Sequence, residues 1–349
     1  MKKVRFVAPL AALATVAVVA VALAGTGAAA PAKKQATYKA GLVSDVGRFN
    51  DKGFNQNQLK GLKFAQAHLS GLETTALESH SAGEYLPNFA SLARKGYDII
   101  IGAGFLLAAQ EATVAKQFPN TKFAITDYSA HVAPFADKKG NPLFKNVEGL
   151  TYATQENSYL VGCLAGLMVH LKGGDQTIGV VGGVKIPPVD AFLAGYQAGA
   201  KKCNAGIKVL TGYSQDFIDQ AKCKTVAQNQ IDQGSQVEFN VAGPCGLGTL
   251  DAAKQAGIWG VGVDVDQSYL GKHILTSAVK RVDRGVYLAI KGAQSGQFGG
   301  GGDLTFNLAN AGVGLGKISP NVPASFLKKI AALRTQIVAG KIVPPTQVK

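Results

Sequence analysis

Residues 38–70 read YKAGLVSDVGRFNDKGFNQNQLKGLKFAQAHLS, and the change of period inside this stretch decides the fold class. Tyr38 to Val43 has the short, apolar cast of a buried strand, whereas Asn55 to Ser70 carries its apolar residues at helical spacing. Between the two lie Asp45, Gly47, Asn50, Asp51 and Gly53, the residues of a tight polar loop. A strand that feeds directly into a helix is the building unit of a parallel sheet, so the stretch predicts an α/β protein.

The unit repeats outward from there. Further strands are expected at Glu73 to Leu77, Asp98 to Gly102, Lys122 to Thr126, Thr177 to Gly182, Lys208 to Thr211, Val237 to Val241, Trp259 to Val263 and Ile274 to Ser277. Helical patterns fall between them, at Leu86 to Gly96, Ala108 to Phe118, Glu156 to Leu171, Val189 to Ala200, Ala221 to Gln233 and Gly248 to Gly257. One sheet of more than ten strands would be unusual for 349 residues, so two doubly wound domains are expected, one on each side of about residue 150. Asn146 to Tyr152 reads as the first crossing between them. A helix at Gly285 to Ser295, a strand-like Leu304 to Leu308 and a last helix at Ala324 to Val338 carry the chain back and forth again, which makes a three-crossing hinge. The boundaries that follow are 33–150 with about 278–303 for the N-terminal lobe, and 151–277 with about 304–349 for the C-terminal lobe.

Residues 1–32 read as an address. Lys2, Lys3 and Arg5 precede the apolar run Val7 to Leu23 and the small residues Ala24 to Ala32, the order of a secretory signal peptide, with an uncleaved membrane anchor as the alternative. Both Ala22-Leu23-Ala24 and Ala30-Pro31-Ala32 offer a cleavage site. No cysteine lies near them to carry a lipid, so the mature chain is expected on the outer side of the cytoplasmic membrane, periplasmic or extracellular, without that tether. The net charge of +14 is spread as isolated pairs such as Lys138-Lys139 and Lys201-Lys202, which suits a solvated surface and argues against nucleic acid.

Cys163, Cys203, Cys223 and Cys245 allow three complete pairings, and their spacing fits no zinc pattern. Cys223 with Cys245 is preferred, because both should follow neighbouring strands; Cys163 and Cys203 would then be a second pair or buried thiols. Gly243 to Gly248 and Gly312 to Gly316 give no G-x-G-x-x-G between strand and helix, and no Walker lysine follows, so no cofactor is expected.

In an open α/β sheet, ligands gather beyond the carboxyl ends of the strands. Phe54 stands there beside Asp51, Asn55 and Gln56, either as a flat face for a heteroaromatic ring or as a hydrophobic staple with Asn50 or Asp51 as helix cap. Thr126-Asp127-Tyr128, Ser214 to Asp219 around Phe217, Ala242 to Gly248, and Gly262 to Ser268 each place an acid, an aromatic or bare backbone at a strand end. Four such coincidences point to one ligand site.

The strings GLVSDVGRFNDKGFNQ, KGYDIIIGAGF, FAITDY, VAGPCGLG, GVDVDQS and LTSAVKRVD, in this order, resemble successive motifs of the basic membrane protein family. Its members include purine nucleoside receptors of ABC importers, and its fold is the type I periplasmic-binding-protein fold. The resemblance implies a monomeric, non-enzymatic receptor that closes on a nucleoside and docks on transporter permease subunits. It implies that Phe54 and Phe217 sandwich the base and that Asp45, Asn55 and Asp127 are polar positions near the ligand. Gly246 matches a backbone contact, and Asp264 with Lys280 looks like the pair for the ribose hydroxyls, which need an acceptor and a donor. Read without the resemblance, Phe217 also suits the core, Asp264 a helix cap with Asp266 as the contact, and Lys280 the surface near a crossing. Two departures stand out: the lipid-bearing cysteine is absent, and Pro244-Cys245 fills a loop that is normally small and glycine-rich. The rivals are a secreted nucleoside hydrolase, for which no Ser-His-Asp or metal signature is visible, and a sensor of the same fold.

Overall fold

The computed structural model describes Met1 and residues 37–348; the segment read as a signal peptide lies outside the described residues. The first lobe is built from β1 (Tyr38–Ser44), α1 (Phe54–His68), β2 (Leu72–Leu77), α2 (Tyr85–Arg94), β3 (Ile99–Ala103), α3 (Ala108–Gln117), β4 (Lys122–Thr126) and β5 (Val147–Tyr152). The chain then crosses to the second lobe: α4 (Thr154–Lys172), β6 (Thr177–Gly182), α5 (Pro187–Cys203), β7 (Lys208–Tyr213), α6 (Gln220–Asp232), β8 (Ser235–Val241), α7 (Gly246–Gln255), β9 (Trp259–Asp264) and β10 (Ile274–Lys280). It returns for α8 (Val282–Gln294) and β11 (Asp303–Phe306), and crosses a third time to β12 (Val313–Leu315) and α9 (Ala324–Val338).

Each lobe has a six-stranded sheet, in the orders β2-β1-β3-β4-β5-β11 and β7-β6-β8-β9-β10-β12. The two orders superpose element for element, so β4 in one lobe corresponds to β9 in the other. All pairings are parallel except that of β12 with β10. Alternate residues of the central strands feed opposite faces. In the first lobe Val43, Ile100, Phe123 and Ile125 pack under α2 and α3, while Leu42, Ile99, Ile101 and Ala124 pack under α1 and α8. Covering both faces explains why these strands read as continuous apolar runs.

In the second lobe α4 is buried almost all round and lies against α5. Their close approach demands glycine: a Cβ on Gly199 would sit 1.9 Å from the Tyr159 carbonyl oxygen. Cys163 and Cys203 form a disulfide that joins these two helices, and Cys223–Cys245 is a second; the thiol alternative for the first pair is thereby corrected.

The sequence reading of 146–152 as a crossing is corrected by β5, which pairs with β4 on one side and β11 on the other. Its Glu148 and Gly149 disguise a buried strand. The last crossing likewise falls after Phe306, a little beyond the boundary near 303, because β11 belongs to the first sheet. The crossings are bonded to one another. The Ala153 N–H donates to Phe306 O (2.8 Å), the Arg281 N–H to Gly312 O (2.9 Å), and Asn157 Nδ2 to Val279 O (2.8 Å) and Gly314 O (3.1 Å). Tyr152 and Phe306 stack beside them, centroids 4.8 Å apart.

Candidate functional site

The carboxyl ends of both sheets meet at one cleft, lined by residues of both lobes. From the first lobe come Asp45 and Gly47 after β1, Asp51, Phe54 and Asn55 at the start of α1, Gly104 to Leu106 after β3, and Asp127 after β4. The second lobe contributes Ile186, Pro188, Val189 and Phe192 around the start of α5, Phe217 after β7, Val241, Gly243 and Pro244 after β8, Val263 and Asp264 at the end of β9, and Lys280 at the end of β10.

Asp51 receives the backbone N–H groups of Gly53 (3.0 Å), Asn55 (2.7 Å) and Gln56 (3.0 Å), so it caps α1 while facing the cleft. That cap holds Phe54 at the helix mouth. Gly104 gives the ring room, since a Cβ there would lie 3.1 Å from Phe54 Cε1. Asp45 Oδ1 accepts from the Gly47 N–H (2.8 Å) and from Asn55 Nδ2 (2.7 Å). The Asn55 amide is therefore oriented by a carboxylate, and its Oδ1 is left buried without a partner, an acceptor turned to nothing in the protein.

Asp127 and Asp264 occupy equivalent places, the ends of β4 and β9, and both have left-handed backbone (φ 65° and 63°). For a non-glycine residue that conformation costs about 1–2 kcal/mol, and such costs gather where a side chain must be aimed. Lys280 Nζ reaches across the lobes to Asp127 Oδ2 at 2.5 Å, with both side chains buried. The ammonium also lies 4.9 Å from the Phe54 ring centroid, 5.2 Å from Tyr152 and 5.7 Å from Phe192.

Four carboxyl groups thus share one ammonium. Burial pushes Asp45 up to about 6, opposed by its bonds from Gly47 and Asn55 and reinforced by Asp51 and Asp127. Burial pushes Asp264 up to about 7, against the pull of Lys280 and with the repulsion of Asp127 and Asp51 added. A raised carboxyl is a stability liability that grows with pH. Below about 4 both folded and unfolded chains hold the proton; as pH climbs to 7 the unfolded chain releases it freely and the folded one resists. Asp264→Asn mimics the neutral acid. Compared with this variant, the wild-type chain should lose roughly 2–4 kcal/mol between pH 4 and pH 8, read from urea midpoints at each pH. Parallel curves would contradict the buried-acid account.

Of the residues singled out from sequence, Asp45, Phe54, Asn55, Asp127, Phe217, Asp264 and Lys280 line this cleft, with Phe54 and Phe217 on opposite lobes. Asp264 ends a strand and caps no helix; Asp266 takes the local role, accepting from the Ser268 N–H at 3.1 Å. Lys280 is 2% exposed and not a surface group. Gly246 is not among the lining residues. Its glycine character has a packing cause, because a Cβ would fall 1.5 Å from Asn240 Oδ1, and Gly243 and Pro244 form the wall instead. Sequence reasoning passed over Phe105, Phe192 and Pro188. Phe105 had a signal, an aromatic straight after Ile-Gly-Ala-Gly at a strand end, whereas Phe192 looks like any core position of a helix.

Residues 39–347 match the family model described as Bmp, ABC transporter substrate-binding protein PnrA-like. The chain belongs to the Bmp family. As a family member it is a binding protein and not an enzyme, with a small-molecule ligand and the membrane subunits of an ABC transporter as partners. It is 32% identical to the ABC transporter nucleoside-binding protein BmpA of Lactococcus lactis subsp. cremoris, over 99% of this chain and 100% of that one. It is also 32% identical to basic membrane protein A1 of Borrelia garinii subsp. bavariensis, over 88% of each. Among solved structures, an ABC transporter solute-binding protein from Aeropyrum pernix K1 superposes with a TM-score of 0.78 at 25% identity, covering 88% of this chain and 94% of that chain. The Bmp chain has the type I periplasmic-binding-protein fold, and among the described residues no helix is long and apolar enough to cross a membrane.

Proposed function

We propose that this chain, as a monomer outside the cytoplasmic membrane, binds one purine nucleoside between its lobes and delivers it to an ABC importer. The observation that carries the reading is the pairing of Phe54 and Phe217 on opposite walls of a cleft whose floor holds Asp127, Asp264 and Lys280. Two aromatic faces suit a flat base. The unpartnered Asn55 Oδ1 suits a ring or exocyclic N–H, and the carboxyl groups with the ammonium suit sugar hydroxyls, which both donate and accept. The name of the Lactococcus relative, a nucleoside-binding protein, supports the same choice.

Charge selects the nucleoside over its phosphates. Asp45, Asp51, Asp127 and Asp264 face one lysine, and the α1 N–H groups that would welcome a phosphate already hold Asp51. A phosphate would enter a net acidic, poorly hydrated cleft. Titration calorimetry with adenosine, guanosine and inosine, and with their 5′-monophosphates, tests this. Binding of at least one nucleoside is expected, with its monophosphate at least tenfold weaker. No heat with any nucleoside would overturn the ligand, and equal affinity for the monophosphate would overturn the charge argument.

A further inference from the structure

We propose that the Cys223–Cys245 disulfide is a positioning element of the cleft, fixing the Phe217 wall so that its ring is already in place when ligand arrives. Phe217 stands on the loop 214–219 behind β7, the edge strand of its sheet, so no further strand supports it from outside. Its neighbour Ile218 is 46% exposed and gives the loop little apolar anchorage. Three backbone bonds tie the loop to the rest of the lobe, and the Lys222 ammonium of α6 holds its Asp216 at 2.7 Å. The Ser214 and Gln215 N–H groups donate to Gly182 O (2.9 Å) and Gly183 O (3.1 Å), and the Phe217 carbonyl accepts from the Cys245 N–H (2.9 Å).

That last bond runs to the loop whose Gly243 and Pro244 line the cleft directly before Cys245. Cys223, in the first turn of α6, lies just beyond the other end of the Phe217 loop. The disulfide thus joins the two segments that supply this wall. Both of its cysteines are fully buried, in a small cluster with Val181, Ala227, Ala242 and Ala252. Four of the six members are alanine or valine, so the sulfur pair contributes much of the bulk and all of the covalent constraint there. Gly183 shows how closely the ring is seated, since a Cβ on it would lie 2.4 Å from two Phe217 ring carbons. A wall fitted this tightly loses its register if the loop drifts by about 1 Å.

The second disulfide supplies the contrast. Cys163–Cys203 joins α4 to the far end of α5, and 16 residues of helix at 1.5 Å each put Cys203 about 24 Å from the cleft end of α5. It braces the lobe without touching the wall.

The ligand side of this inference rests on the nucleoside reading, so the experiment has an arm that needs no ligand. The full mature chain is compared with Cys223→Ala/Cys245→Ala and with Cys163→Ala/Cys203→Ala by nucleoside calorimetry, and by amide hydrogen exchange over residues 214–219. The first pair should raise Kd at least tenfold and speed exchange of that loop at least tenfold; the second should lower the melting temperature and leave both unchanged. On a Phe217→Ala background, removing Cys223–Cys245 should raise Kd little further, because the ring it positions is gone. Unchanged Kd and unchanged loop exchange in the first pair would overturn the inference, as would equal effects of the two disulfides. If the wild-type chain binds no nucleoside, the ligand reading fails and loop exchange alone decides this one. Should the alanine pair not fold, Cys223→Val/Cys245→Ala restores part of the lost volume and is measured in the same way.

Discussion

Replacing Lys280 by methionine should abolish measurable nucleoside binding and destabilise the chain by about 3–5 kcal/mol, the cost of leaving one member of a buried ion pair alone. The stranded group is Asp127, buried at the end of β4 on the other lobe, 2.5 Å from the ammonium. Asp264 loses the opposing charge of Lys280 as well, so its carboxyl should hold the proton to still higher pH. Binding should fall at least hundredfold, because the substitution removes a charged donor and leaves the acids facing the ligand unbalanced. The double variant Lys280→Met/Asp127→Asn separates the two effects. It should recover most of the lost stability in urea, since neither charge remains to be buried alone, and none of the affinity. A Lys280→Met chain that binds nucleoside within threefold of wild type would remove Lys280 from the site.

Much of this arrangement was legible before any coordinates, and the reasons differ by element. β4 and β6 were readable to the residue, because a strand buried on both faces has no polar alternation to blur it. α9 was readable because Pro323 stands just ahead of it and its apolar residues keep one stripe. β5 was not. Glu148 is its second residue and is held largely buried, its carboxyl pushed up to about 7, so a charged letter in the sequence stands for a group that burial disfavours ionising. β12 is three residues set among Gly312, Gly314 and Gly316, and nothing local predicts that β10 will take it as an antiparallel partner.

The site divides in the same way. Asp45, Asp127 and Asp264 could be marked because the carboxyl end of a strand is a place defined by sequence order alone. Gly246 could not be separated from Gly243, since a glycine kept for close packing and one kept to present bare backbone are the same letter; only the 1.5 Å clash with Asn240 tells them apart. Lys280 carried its meaning in tertiary structure. A lysine at the end of β10 becomes a cleft residue only because the chain crosses between lobes at that point and brings Asp127 opposite. The disulfide partners posed a similar problem: Cys223 sits in the first turn of α6 and meets Cys245 in the turn after β8, although β6 lies between β7 and β8, whereas Cys163 and Cys203 meet through the packing of α4 on α5.

Phe54→Ala and Phe217→Ala should each weaken nucleoside binding tenfold or more, the loss expected from one stacking face at about 1–3 kcal/mol. Phe54 should be the costlier of the two. Its ring lies 4.9 Å from the Lys280 ammonium, so the alanine also removes a cation–π contact that helps hold that donor toward the ligand. Phe217 packs partly against the second-lobe core, so its truncation should carry a small stability loss alongside the affinity loss. Leucine at either position keeps apolar area but not a flat face, and should therefore recover little. Calorimetry on the single and double variants reads all of this directly. Because the two rings come from different lobes, each can stack fully only after closure. The double alanine chain should therefore lose more than either single variant but less than their sum, since once one face is gone the remaining ring has less of the closed state to stabilise. Affinity unchanged by either single substitution would mean that the base does not lie against that ring.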